Sequence, residues 1–342
     1  MQDLLYQIAL TNVPNIGAVQ AKILVNRFDT AEDIFRAPKK ELETIEGIGE
    51  VRAKSIKDYD GFADAETEIE FIEKYRITPL FLKDKNYPQR LLHCYDSPTL
   101  LYYRGNADLN ASKVISIIGT RNNTEYGKLI TDQLIEELQT MQVLIVSGLA
   151  YGIDALAHKA AVSHNLPTVG VLAHGLDKIY PPQHTGLAKQ MLLNGGLLTE
   201  FKKDTKADKH NFPRRNRIVA GIADCTIVIE TAAKGGSMIT AELANGYNRD
   251  VFAYPGKVTD SKSSGCNYLI KTNKATLLTD AEQLIDAMGW ATKKTKAKKQ
   301  KELFIELSQD EKVLVDLLKE KESIHIDELF LKSGLNSSTV AA

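Results

Sequence analysis

A chain of 342 residues exceeds what one small core can hold and points to about two or three domains. Its composition, 43% hydrophobic and 25% charged, is that of an ordinary globular protein, and without a run of about 18 apolar residues it is not expected to span a membrane. A formal net charge of −1 excludes a uniformly basic body, so any nucleic-acid site must be a local cluster.

The first residues, Met1-Gln2-Asp3-Leu4-Leu5, lack a basic region followed by an apolar core, so no secretory signal is expected. Residues 1–78 read as short helices. Val13–Lys22 and Ile45–Lys54 echo each other, each with a glycine-bearing turn followed by a helix carrying a basic residue. They resemble paired helix-hairpin-helix motifs (a SAM-like arrangement). Such turns can present backbone N–H groups to a DNA phosphate. The other reading is a compact helical domain whose glycines only make tight turns. The acidic run of Glu41, Glu43, Glu46, Glu50, Asp58, Asp60, Asp64, Glu66, Glu68, Glu70 and Glu73 opposes phosphate contact here.

Residues 80–110 read as a connecting region. From 113 to about 288 a βα rhythm follows, with β-branched apolar runs at 114–118, 143–146, 168–172, 197–199, 226–229 and 251–253. Helical patterns at 128–138, 153–162 and 188–193 separate most of them. Continuous apolar strands between helices predict a Rossmann-like doubly wound parallel sheet, assigned to 79–290. The lysine-rich run 293–301 should repel itself and stay solvated, so 291–307 reads as a linker. In 308–342, helix 310–319, a short strand 323–326, helix 327–332 and a further helix from Ser337 resemble the front half of a winged helix. The predicted class is therefore α/β, with an N-terminal helical domain and an incomplete C-terminal winged helix.

In open parallel sheets ligands bind beyond the carboxyl ends of the strands. The turns there hold Gly119-Thr120-Arg121, Ser147-Gly148 and Gly236-Ser237 with Thr240, which read as phosphate-binding turns at helix starts. Neither a dinucleotide fingerprint nor a P-loop occurs. Asp154 and His158 share a helix face; they could be a base and its orienter or half a metal site. The simpler reading is that Asp154 complements the helix dipole and His158 bonds locally. The densest basic segment runs from Lys206 through Lys209, Phe212, Arg214, Arg215, Asn216 and Arg217. Arginines fork onto phosphates and an aromatic among them can stack a base. The alternative buries Phe212 and one or two arginines, and a mixture is expected, with at least one arginine structural. Cys94, Cys225 and Cys266 form neither a disulfide framework nor a metal pair, so the expected compartment is a reducing cytoplasm. No cofactor, metal site or catalytic residue is expected.

The ordered set Ile118–Arg121, Ser147–Asp154 with His158, Gly175–Asp177 with Tyr180-Pro181, Phe212–Arg217, Gly236-Ser237 with Thr240-Ala241, and Pro255-Gly256 with Gly265 and Asn267 resembles the DprA/Smf family of DNA-processing proteins. The resemblance implies a binding protein rather than an enzyme. It implies single-stranded DNA held in a basic pocket of the Rossmann-like domain, loading of RecA recombinase, displacement of single-strand-binding protein during natural transformation, and a homodimer. Arg121, Lys209 and Phe212 match its basic and base-stacking positions, and Arg214, Asn216 and Arg217 match its R-N-R run. By the same resemblance, 267–270 and 276–278 form the dimer face. A rival comes from Gly235–Glu242, which loosely resembles the loop of nucleotide phosphoribohydrolases; it would make Glu242 catalytic.

Overall fold

The computed structural model describes residues 2–291, 307–320 and 324–341, and these divide into two compact units, 1–288 and 289–342. In the first, six helices lead: α1 (Gln2–Asn12), α2 (Ala18–Arg27), α3 (Ala31–Arg36), α4 (Lys39–Glu43), α5 (Gly49–Lys57) and α6 (Phe62–Tyr75). Ile8, Leu10, Leu24, Ile34, Leu42 and Ile56 are fully buried between them. Tyr6, Phe35, Tyr59 and Phe62 add a ring cluster with centroids 5.4–6.0 Å apart. Of the basic residues of the two echoing hairpins, Lys22 and Arg52 are engaged by backbone carbonyls, while Lys54 is exposed. Lys22 Nζ donates to the carbonyls of Leu92 and Cys94 at 2.6 and 2.8 Å. Arg52 donates from Nε to Asn15 O at 3.2 Å and from Nη1 to Gly47 O at 3.2 Å, tying one hairpin turn to the other.

The alternating elements follow as β1 (Thr78–Phe81), α7 (Gln89–Leu92), β2 (Leu100–Gly105), β3 (Val114–Ile118), α8 (Glu125–Glu137), β4 (Leu144–Ser147), α9 (Ile153–Ser163), β5 (Thr168–Val171), α10 (Thr185–Met191), β6 (Gly195–Thr199), α11 (Asn211–Gly221), β7 (Cys225–Val228), α12 (Gly236–Gly246), β8 (Asp250–Ala253), α13 (Ser264–Lys271), β9 (Thr276–Leu277) and α14 (Ala281–Ala287). They build one sheet in the order β1-β2-β6-β5-β4-β3-β7-β8-β9. The strands from β6 to β9 pair in parallel, and every residue of β3, β4, β5, β6 and β7 is buried. Such strands cannot alternate in polarity, because helices cover both faces. The stretch 80–110 is not mere connection. It supplies β2, which pairs antiparallel with β6, and β1, which pairs antiparallel with β2. The Leu-Leu-Tyr-Tyr core of β2 is buried on both faces and so lacks the period-2 signature of a half-exposed antiparallel strand.

Winding runs one way from β3 through β4 and β5 to β6, and the other way from β7 through β8 to β9. The reversal falls between β3 and β7, which are direct neighbours. A crevice opens at the carboxyl ends of strands at such a point.

The second unit contains α15 (Gln309–Glu320), α16 (Ile326–Ser333) and α17 (Ser337–Ala341). Gly334, at φ +67°, closes α16 in the left-handed conformation glycine tolerates. The strand expected at 323–326 is not there. Ile324 and His325 are irregular, Ile326 opens α16, and Ser323 lies outside the described residues. Asp327 and Glu328 in its first turn complement the helix dipole, which favours helix over strand. Most of the expected lysine-rich linker also lies outside the described residues.

Candidate nucleic-acid interface

The cleft at the winding reversal has a volume of about 700 Å³. The turn after β3 forms one wall with Thr120 and Arg121, the first turn of α12 forms another with Gly236 and Ser237, and α11 closes it with Phe212 and Asn216. Lys209, in the loop leading to α11, lies at its rim.

Helical phase divides the basic run of α11. Phe212, Asn216 and Val219, spaced four and three residues apart, share the face on the cleft. Arg215 points into the protein and is 5% exposed. Its Nη1 donates to Val171 O at 3.1 Å and stands 4.0 Å from Asp154 Oδ2. Burial pushes the Asp154 carboxyl up and the Arg215 guanidinium down, while each holds the other toward its charged form. Arg217 turns to the opposite side. It donates to Asp96 O at 2.7 Å and pairs with the buried Glu200 carboxylate. Arg214 reaches the same Glu200 at 3.3 Å and lies over the Phe201 ring at 5.0 Å. The charges of Arg215 and Arg217 are therefore committed inside the fold, Arg214 stays exposed but leans on Glu200 and Phe201 away from the cleft lining, and the exposed Arg121 and Lys209 supply the cleft's outward positive charge.

The turn residues divide in the same way. Gly119 and Thr120 line the cleft but do not open a helix; α8 begins six residues further on. Its N-terminus already holds an internal anion, because Glu230 accepts from Thr124 N at 2.9 Å and Thr124 Oγ1 at 2.8 Å. Ser147 lies inside the sheet, where its hydroxyl donates to Ile117 O at 2.5 Å. Gly148 lines the cleft beside Arg215, and a Cβ there would come within 1.7 Å of Arg215 Nη1. Gly152, at φ +76°, lets α9 start so close to the β3 turn that a Cβ would sit 2.2 Å from Thr120 O. Of the helix starts, that of α12 faces the cleft, with Ser237 bonded to Thr231 Oγ1 at 2.7 Å and Thr240 one turn in. First-turn N–H groups have no intrahelical partner and favour an anion.

His158 does not work with Asp154. It is fully buried, with Nδ1 2.7 Å from Thr168 Oγ1 and Nε2 2.5 Å from Gly148 O. Burial pushes its pKa down to about 4. Glu242 pairs with Lys274 at 3.4 Å, both half-exposed, and is not part of the cleft lining. The phosphoribohydrolase-like reading thus loses the carboxylate it needs at the site. Among the described residues no group of three or more His, Cys, Asp or Glu side chains could hold a metal ion. No helix among them is long and apolar enough to cross a membrane.

The sequence model of DNA recombination-mediator protein A matches residues 78–289. The chain belongs to the DNA recombination-mediator protein A family. A SAM-like helix-hairpin-helix tandem matches residues 8–59, so the helical part has the motif its two echoing segments predicted. Within this family, protein Smf of Synechocystis sp. is 36% identical over 291 residues, 83% of this chain and 72% of the relative. The crystal structure of DNA processing protein A from Streptococcus pneumoniae superposes with a TM-score of 0.71 at 30% identity, covering 82% of this chain and 97% of that one. A structure of the Helicobacter pylori protein, described for its single-stranded DNA binding mode, gives a TM-score of 0.57 at 30% identity over 63% of this chain and 96% of that one.

Two aromatic residues beside the cleft escaped the sequence reading. Tyr180 and Tyr151 are 49% and 44% exposed, and Tyr180 lies against Phe212 with ring centroids 6.3 Å apart. In the sequence both occur only inside motif segments, Tyr151 within Ser147–Asp154 and Tyr180 in Tyr180-Pro181. Nothing in the order of residues tells that Tyr151, far earlier in the chain, stands at the same recess.

Proposed function

We propose that this protein binds single-stranded DNA in the cleft between β3 and β7, protects incoming strands and loads RecA recombinase onto them in the cytoplasm during natural transformation, as a binding protein rather than an enzyme. The observation that carries the binding site is convergence: Arg121, Lys209 and the first turn of α12 meet at one cleft from three separate stretches of chain. Phosphates would run past Gly236 and Ser237, held by Arg121 and Lys209, with Phe212 and Asn216 meeting the bases. Contact through backbone and ring faces gives little sequence preference. The single-strand binding described for the Helicobacter pylori relative supports this reading. Single-strand-binding protein is the expected competitor for the strand.

Two copies would join through α13 and β9, where Tyr268 and Leu277 are exposed. β9 ends the sheet, and an edge strand is a template for pairing.

The test is fluorescence anisotropy of a labelled poly-dT oligonucleotide at several salt concentrations. Arg121→Ala and Lys209→Ala should each weaken binding and flatten the plot of log K against log salt by about one unit. An unchanged slope in both variants would put the site elsewhere.

A further inference from the structure

Positive charge also gathers where the helical part meets the segment between β1 and α7. A groove of about 570 Å³ runs there between α2, which contributes Lys22, Val25 and Asn26, and residues 82–93, which contribute Lys83, Lys85 and His93. It shares no lining residue with the cleft. Val25, Leu82 and Leu92 back it with apolar surface. Cations against such a low-dielectric wall focus their field into the groove. The carboxylates of the helical part stand on other elements: α2, from Ala18 to Arg27, holds no Asp or Glu.

Carbonyl oxygens, not carboxylates, fix the ammonium groups. Lys83 Nζ donates to Phe28 O at 2.5 Å and Asp29 O at 3.0 Å, and Lys22 Nζ to Leu92 O, Cys94 O and Ser97 Oγ. A carbonyl orients an ammonium without cancelling its charge. Among the described residues no salt bridge includes Lys22, Lys83 or Lys85. Asp84, the carboxylate of the lining, accepts the Phe81 N–H at 2.7 Å, and Asp33, which feels Lys83 from α3, is bound to Thr30. An ammonium has three N–H donors. Lys22 spends all three, Lys83 keeps one, and the side chains of Lys85, Asn26 and His93 are exposed. The lining holds no Phe, Tyr or Trp on which a base could stack.

We infer that this groove is a second phosphate site, which takes the sugar-phosphate backbone of a stretch of DNA strand lying beyond the cleft. It rests on the single-strand reading and adds to it a contact on the helical side of the molecule. Three cations held in place with their charge uncancelled, and donors left over, suit successive phosphodiesters. With no ring to stack on, the groove reads backbone and not base, so it adds affinity without sequence preference. A free phosphate ion would meet the same donors, and only a long strand joins the groove to the cleft.

The experiment titrates labelled dT oligonucleotides of about 12 nucleotides, within common site sizes, and about 60 nucleotides at several salt concentrations. On the long strand, Lys85→Ala should flatten the plot of log K against log salt by about one unit, and Lys83→Ala/Lys85→Ala by about two. Both should leave the slope and affinity on the short strand unchanged, which also reports an intact fold and cleft. Lys85→Arg, which keeps the charge, should match the wild type on both strands. The mass by light scattering should stay the same, so that a lost dimer is not the cause. A long-strand slope unchanged in both variants overturns the groove, and so does an equal loss on both lengths. Long-strand affinity that falls to the Lys85→Ala level when phosphate replaces chloride at equal ionic strength assigns the groove to the free ion and overturns the strand contact. Failure of the wild-type chain to bind either oligonucleotide overturns it together with the single-strand reading.

Discussion

Arg215 and Arg217 sit two positions apart on α11, and neither charge reaches solvent freely. Arg215 lies against Asp154 in the core, so Arg215→Ala would strand a buried carboxylate. The expected loss is about 3–5 kcal/mol of folding stability, read by urea unfolding, with much of it recovered in the Arg215→Met/Asp154→Leu double variant. Arg121→Ala, at an exposed site, should change stability little and DNA affinity more. His158 predicts a pH dependence of opposite origin. Its folded pKa of about 4 lies below the unfolded value of about 6.5, so its contribution is complete above pH 6.5 and is lost as pH falls toward 4. Between pH 7.5 and 5 the loss should be about 2 kcal/mol, with the buried His174 acting in the same direction. Urea midpoints at the two pH values check it, and His158→Gln should shrink the difference.

At the scale of elements, the loop between β6 and α11 carries Lys209, and two carboxylates from elsewhere hold it. Glu68, buried on α6, accepts the Lys203 N–H at 3.1 and 3.2 Å; Asp177 accepts the Asp204 N–H at 3.0 Å. The helical part thus braces a loop of the candidate site without lending a basic side chain to it. Glu68→Leu should weaken poly-dT binding several-fold and speed hydrogen exchange at Lys203, whereas Glu68→Gln keeps an acceptor oxygen and should stay near wild type. The β-branched runs at 114–118 and 226–229 made the parallel strands legible. β1 (Thr-Pro-Leu-Phe) and β2 (Leu-Leu-Tyr-Tyr-Arg-Gly) were not, because they hold no β-branched run to set them apart from any other apolar stretch. Gly119 resembled a phosphate turn at a helix start, yet a six-residue turn intervenes and Glu230 caps the helix beyond it.

At the scale of the whole molecule, a dimer would offer two clefts to one long strand. The second contact is then governed by effective concentration rather than by new chemistry. A lysine at position 277 would place charge on the β9 edge, a device that blocks edge pairing. Leu277→Lys should halve the mass measured by light scattering. It should weaken binding to a long poly-dT strand more than to a short one. Equal mass and equal affinities would place any dimer contact on another face.

Order along the chain was enough for the family, the βα rhythm, the helix-hairpin-helix tandem and the candidate DNA residues Arg121, Lys209 and Phe212, because these depend on local periodicity and on motifs read in sequence. Which charges of the basic run face the cleft was decided only by the tertiary structure. A helix turns about 100° per residue, so neighbours in sequence part company in space, and Asp154, Glu200 and Asp96 arrive from distant segments to take up Arg215, Arg214 and Arg217. The recess framed by Tyr151 and Tyr180 has the same origin: its floor and walls come from the ends of two strands and a helix that meet only when the sheet is wound.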